Sequence, residues 1–113
     1  MKKFIVLYHA PADAMEQTAS LSPEDQAKGM EAWMEWARNC GDHLVDLGMP
    51  LTNGEQMSSD GSTASDTGNV TGYSIIQAEN MEEAEALLKN HPHLGWNPDC
   101  TIGLHETMML PGM

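Results

Sequence analysis

The spacing of apolar positions changes several times along the chain, and each change marks an element. Lys3 to His9 holds the unbroken β-favouring run Phe4-Ile5-Val6-Leu7-Tyr8, closed by Ala10-Pro11, and predicts a first strand. Ala12 to Leu21 carries no strong pattern and reads as a linker. Ser22-Pro23-Glu24-Asp25 has serine at the N-cap, proline at the first helical position and acids in the first turn, which together start a helix. From there Ala27, Met30, Trp33, Met34, Ala37, Cys40, Leu44 and Leu47 recur at steps of three and four. That spacing predicts one buried helical face about six turns long, closed by Gly48 just past its end.

Pro50 to Met57 is a weaker strand candidate, and Ser58 to Asn69, small and polar with two glycines, reads as a surface loop. Val70 to Ala78 has β-favouring bulk at Tyr73, Ile75 and Ile76 and predicts a strand. Asn80 caps a second helix with Glu83 three residues on, and Met81, Ala84, Leu87 and Leu88 form its buried stripe. Pro92 forces His91 out of helical geometry, so this helix stops near Asn90. Thr101 to Met109, where Ile102 and Leu104 alternate with Gly103 and His105, predicts a final strand. The order βαββαβ is the ferredoxin-like α+β arrangement, with strands one and three central in an antiparallel sheet and both helices on one face. Two helices leave the other sheet face bare, so a homodimer is expected, its two sheets packed face to face as a dimeric α+β barrel.

A length of 113 residues suits one domain, residues 1–113, around a modest core. Acidic residues outnumber basic ones 17 to 5, a net charge of −12 whose field opposes nucleic acid and anionic membrane as partners. The opening MKKFIVLYHAPADA has too short an apolar run for a secretion signal, and His9 and Pro11 interrupt it. Cys40 and Cys100 fit neither a CxxC nor a zinc spacing and read as reduced thiols, which suits a cytoplasmic protein.

Candidate chemistry concentrates in Asn90 to Met113, which holds His91, His93 and His105 of the 5 histidines. The predicted topology gathers His9, Tyr73, His91 and His93 at one rim of the sheet. Imidazoles titrate near neutral pH, so His9, His91 and His93 are the candidate catalytic residues, as acid, base or substrate-orienting groups, with Tyr73 as a hydrogen-bond donor. His105 lies about 13 Å along the last strand from Thr101. Adjacent strand residues face opposite ways, so His105-Glu106 reads as a buried, hydrogen-bonded histidine and an acid on the other side. Trp33 and Met30, with Trp36, offer substrate an adaptable apolar lining, although the same spacing describes ordinary core packing. His91 and His93 would need a third ligand, such as His9 or Asp99, to hold a metal; neither a metal nor a cofactor is expected. His43, near a helix end at the opposite rim, reads as an electrostatic accessory. Neither cysteine has a catalytic spacing to a histidine, and the glycines at 61 and 68 precede no lysine or helix start that would cradle phosphate.

Four segments, FIVLYHAP, LSPEDQAKGMEAWMEWA, TGYSIIQAENMEEAEALLKNHPHL and GLHETMMLPGM, resemble in order the YCII-related family of small bacterial dimeric α+β-barrel proteins. Two departures stand out. The Asp-Gly-Pro-Phe motif of one large branch is absent, its place taken by the segment from Gly61 to Gly68. The histidine that many relatives carry early in the first helix corresponds to Gly29, and the aspartate before the proline after the second helix corresponds to His91. The histidine–aspartate pair proposed as catalytic in the family is therefore not preserved in kind. The resemblance implies the fold and dimerisation. For function, two readings stand side by side: a cofactor-independent lyase or isomerase moving a proton on a small organic molecule, or a non-catalytic ligand-binding or interaction module.

Overall fold

The computed structural model describes residues 1–65 and 68–112, apart from the side chains at 15 and 17. The strands are β1 (Lys2–His9), β2 (Leu44–Asp46), β3 (Gln56–Met57), β4 (Thr63–Ala64), β5 (Val70–Ala78) and β6 (Thr101–Glu106). The helices are α1 (Ala12–Ser20), α2 (Pro23–Cys40) and α3 (Met81–Leu88), with 3₁₀ turns at Gly41–His43 and Pro92–Gly95. A four-stranded antiparallel sheet runs in the order β2-β5-β1-β6. The two long strands β1 and β5 are central, an order compatible with the expected ferredoxin-like α+β arrangement.

Alternation along β1, and along β5 from Gly72 onward, sorts side chains between the two faces; β5 carries one extra residue, Thr71, opposite Tyr8 and His9. Phe4, Val6, Tyr8, Ile76 and Ala78 are buried and pack with Trp36, Cys40, Ala84 and Leu88 from α2 and α3. Ile5, Leu7, His9, Tyr73, Ile75 and Gln77, on the other face, are only half-buried. That difference marks a sheet with a helical layer on one side only, and the molecule is correspondingly flat, 50 × 42 × 20 Å.

Both predicted helix starts are present. The Ser22 hydroxyl accepts from the Asp25 N–H at 3.2 Å, and Asn80 Oδ1 accepts from the Glu83 N–H at 2.9 Å. Glu83 reaches back to the N–H of Glu79, at 3.4 Å, one residue before the cap. The helix expected to run to Leu47 instead ends at Cys40. Gly41, at φ 55, turns the chain out of the helix, and Leu44 and Leu47 reach the core from β2 and its continuation. Positions three apart satisfied a helical reading and equally serve a turn followed by a short strand.

Ala12–Ser20, expected as a linker, is helical. Among its described side chains Ala14 is the buried one, so it leaves little apolar period to detect. Pro50 to Met57 is not a strand of the main sheet: Pro50 makes one bridge to Gly72, and Gln56–Met57 pairs with Thr63–Ala64 in a separate hairpin. That hairpin lies partly in the expected loop of 58–69, whose residues 66 and 67 fall outside the described residues. The last strand ends at Glu106 rather than Met109, leaving Met108 and Met109 exposed. Among the described residues no helix is long and apolar enough to cross a membrane.

Gly48, at φ +81, passes against β5 so closely that a Cβ there would sit 1.8 Å from the Tyr73 carbonyl oxygen. Gly48→Ala is expected to lower the unfolding free energy by about 2 kcal/mol or more in urea titrations. Gly29→Ala, on an open helical surface with nothing within 4 Å, is expected to raise it by about 0.5–1 kcal/mol.

Candidate functional site

Beneath the sheet, on the helix-covered side, lies a chain of hydrogen bonds with one direction. His91 caps the turn that Pro92 starts, its Nδ1 accepting from the His93 backbone N–H at 2.9 Å. The neutral ring therefore carries its proton on Nε2, which donates to the Tyr8 hydroxyl at 3.2 Å. Ser74 Oγ donates to the Leu47 carbonyl at 2.6 Å, so the Tyr8 hydroxyl donates to Ser74, at 2.7 Å. Trp33 and Trp36 pack edge-on to the His91 ring at 4.4 and 4.3 Å between centroids. Burial pushes the Tyr8 phenol up to about 12 and the His91 imidazole down to about 3, the latter with help from neighbouring His93. Both groups hold their neutral forms and serve as fixed hydrogen-bond partners.

His93 is equally buried but holds the sheet. Its Nε2–H is shared between the carbonyls of His9, at 2.9 Å, and Thr101, at 3.2 Å, the paired residues where β1 ends and β6 begins. Burial lowers its pKa, against the opposite effect of these two carbonyls. A fully enclosed imidazole thus grips the backbone of the residue whose own ring turns outward.

That outward residue is His9. It follows Tyr8 on the strand and so faces the other side of the sheet. Its Nδ1 donates to the Gly68 carbonyl at 2.6 Å, which leaves Nε2 of the neutral ring with its lone pair free to accept. A cavity of about 400 Å³ opens there, lined by His9, Asn69, Asp99, Thr101 and Gly103 together with apolar Ala10, Pro11 and Ile102. Gly103 separates two imidazoles: the point a Cβ on it would occupy is 3.3 Å from His9 Nε2 and 3.4 Å from His105 Nε2.

The sheet therefore divides the predicted site residues. His9, His105 and Tyr73 lie on the open face, Tyr73 across from Leu7 in the register. His91, His93 and Trp33 lie on the helical side, where His91 and His93 are each 2% exposed and do not line the His9 cavity. Met30 is 60% exposed on α2 and lines neither this cavity nor the groove between α2 and α3. His105, expected to be buried, is exposed, because β6 is an edge strand and this face has no second layer; Glu106 pairs with Lys2 at 3.4 Å. His43 Nδ1 donates to the Gln77 carbonyl at 2.9 Å, beside Glu83. Sequence reasoning missed Tyr8 and Ser74 as relay members, although a serine among the inward positions of β5 was a signal. It also passed over Gly103, whose place inside a strand signals close approach. Among the described residues no group of three or more His, Cys, Asp and Glu is placed to hold a metal ion. Both cysteines are buried, and burial raises both thiols.

A family model described as the YCII-related domain matches residues 1–96, and the chain belongs to that family. No curated protein matches the sequence.

Tyr8→Phe deletes the central member of the relay and is expected to cost about 1–3 kcal/mol, because His91 and Ser74 then lack a buried partner. His91 adds a pH dependence. Unfolded, it titrates near 6.5, and folded near 3. Between those values the unfolded chain binds a proton that the native state refuses, so stability is full above this window and falls as pH falls through it. Urea midpoints measured across the window should show that slope, and His91→Gln should flatten it.

Proposed function

We propose that this YCII-related protein is a homodimer with one ligand pocket per subunit at the rim of the sheet, where His9 exchanges a proton with a small organic molecule. The observation that carries this reading is the His9 ring itself. Its Nδ1–H is fixed on the Gly68 carbonyl, and the ring lines the cavity with Nε2 beside Gly103, an arrangement that suits a general base. His105 and Tyr73 share its face and are the ligand-contacting candidates. His91 and His93 act from behind, one as the buried end of the Tyr8 relay and the other as the clamp on the His9 backbone. The reaction is of the lyase or isomerase type, a proton moved without a bound cofactor.

Dimerisation through the open sheet face, giving an α+β barrel from two single-domain chains, supports enclosure of this pocket. Two features favour it. Apolar side chains of central strands, Ile5, Leu7 and Ile75, lie half-buried on that face. The radius of gyration, 15.7 Å, exceeds the roughly 13 Å expected of a compact domain of this length. A reducing, cytoplasmic setting suits the two buried free cysteines. The binding-module reading draws on a different observation: two of the three histidines proposed for chemistry are buried in the core, which leaves His9 as the one lining the cavity.

Solvent-deuterium incorporation into a panel of small enolisable compounds, followed by proton NMR, tests the proton-transfer reading. Wild-type protein is expected to catalyse exchange into at least one compound, and His9→Gln to slow it by about 10²-fold or more. Ligand binding without exchange would favour the module. Sedimentation equilibrium should return two chains per particle, and Ile75→Glu, a charge placed in the proposed contact, should return a folded monomer.

A further inference from the structure

We propose that the space over Gly103 seats a hydroxyl group, and that the ligand class of this protein is therefore a small organic alcohol, phenol or enol. The assignment rests on the reading of the His9 cavity as a ligand site and adds to it the group that binds there. In the β1–β6 ladder His9 stands opposite Thr101, Leu7 opposite Gly103 and Ile5 opposite His105. His9 and His105 thus start two rows apart, on adjacent strands, and lean toward each other from opposite ends over the glycine. Both Nε2 atoms lie within 3.4 Å of the point a Gly103 Cβ would occupy, with the Leu7 carbonyl oxygen next at 3.8 Å. A Cβ at this position would press both rings back by a few tenths of an ångström and fill the space between them, which glycine leaves open to a ligand atom.

The hydrogen-bond polarity selects the atom. In the neutral ring whose Nδ1–H is held by Gly68, His9 Nε2 accepts. We take the exposed ring of His105 in its Nε2–H form, as a donor. An atom bridging the two then donates to one and accepts from the other. A hydroxyl does both from a single oxygen, a carboxylate cannot donate, and an ammonium cannot accept. The chain's charge of −12 further disfavours anionic ligands. The body of the ligand would lie against Ala10, Pro11 and Ile102, the apolar lining of the same cavity. The same contact gives proton transfer its first step, the ligand O–H aligned on the His9 lone pair.

Phenol and anisole make a matched pair of probes, since the methyl ether keeps the ring and the acceptor but lacks the donated proton. In amide chemical-shift titrations of the full chain, phenol is expected to shift residues 7–9 and 101–105 saturably, with anisole at least about tenfold weaker. His105→Phe should weaken phenol by about tenfold, as loss of one hydrogen bond does. Gly103→Ala, in an ordinary strand conformation, should keep the dispersed spectrum and lose phenol binding. Equal affinity for the two probes, undiminished phenol binding to Gly103→Ala, or no response to phenol at saturation would each overturn the assignment. Deuterium exchange by the wild-type protein, with no phenol binding to it, would remove only the hydroxyl seat. Exchange unaffected by His9→Gln would remove the catalytic reading beneath it.

Discussion

The structure turns on one peptide unit, between Tyr8 and His9, where successive side chains on a central strand must point to opposite faces. Tyr8 goes inward and ends in a hydrogen-bond relay under two tryptophans. His9 goes outward and fronts a cavity. Its own carbonyl is taken by His93, which reaches it from the turn that follows α3. Packing on one face therefore fixes the backbone from which the other face presents its imidazole. Rigidity is what such a group needs, since a ring held in one orientation meets a ligand without first losing conformational freedom.

Burying two imidazoles and a phenol in a small core is costly unless every polar atom is matched. Here the matching is complete among the described residues: no enclosed side-chain nitrogen or oxygen lacks a partner. Direction matters as much as number. The relay begins at a backbone N–H and ends at a backbone carbonyl, so each ring and hydroxyl has one consistent role. A protonated His91 would present a donor where it must accept, from the His93 N–H, and the low pKa agrees with that geometry. The neutral, hydrogen-bonded core and the outward ring with its opposite tautomer are two consequences of the same strand.

The antiparallel α+β architecture and both capped helix starts were legible from period and capping alone. What misled was degeneracy. Leu44 and Leu47 continue a three-and-four spacing from α2, yet Gly41 ends that helix and the same residues reach the core from a strand. α1 hid because helices that bury little leave little pattern. For the site, the sequence named His9, His91 and His93 as one group. It could not assign them to faces, because His91 and His93 sit in a turn where neither the helical nor the strand period applies. His105 was misjudged for a related reason: alternation says which face a residue shares, not whether that face is covered.

Neighbouring elements hold their histidines in opposite tautomers, His9 protonated on Nδ1 toward Gly68 and His91 on Nε2 toward Tyr8. Long-range nitrogen–proton correlation spectra of the imidazole rings read this directly in neutral solution. His9 is expected to show a pyrrole-type Nδ1 and an acceptor-type Nε2, with the reverse pair for His91. A His9 ring protonated on Nε2, or exchanging freely between both forms, would contradict that assignment.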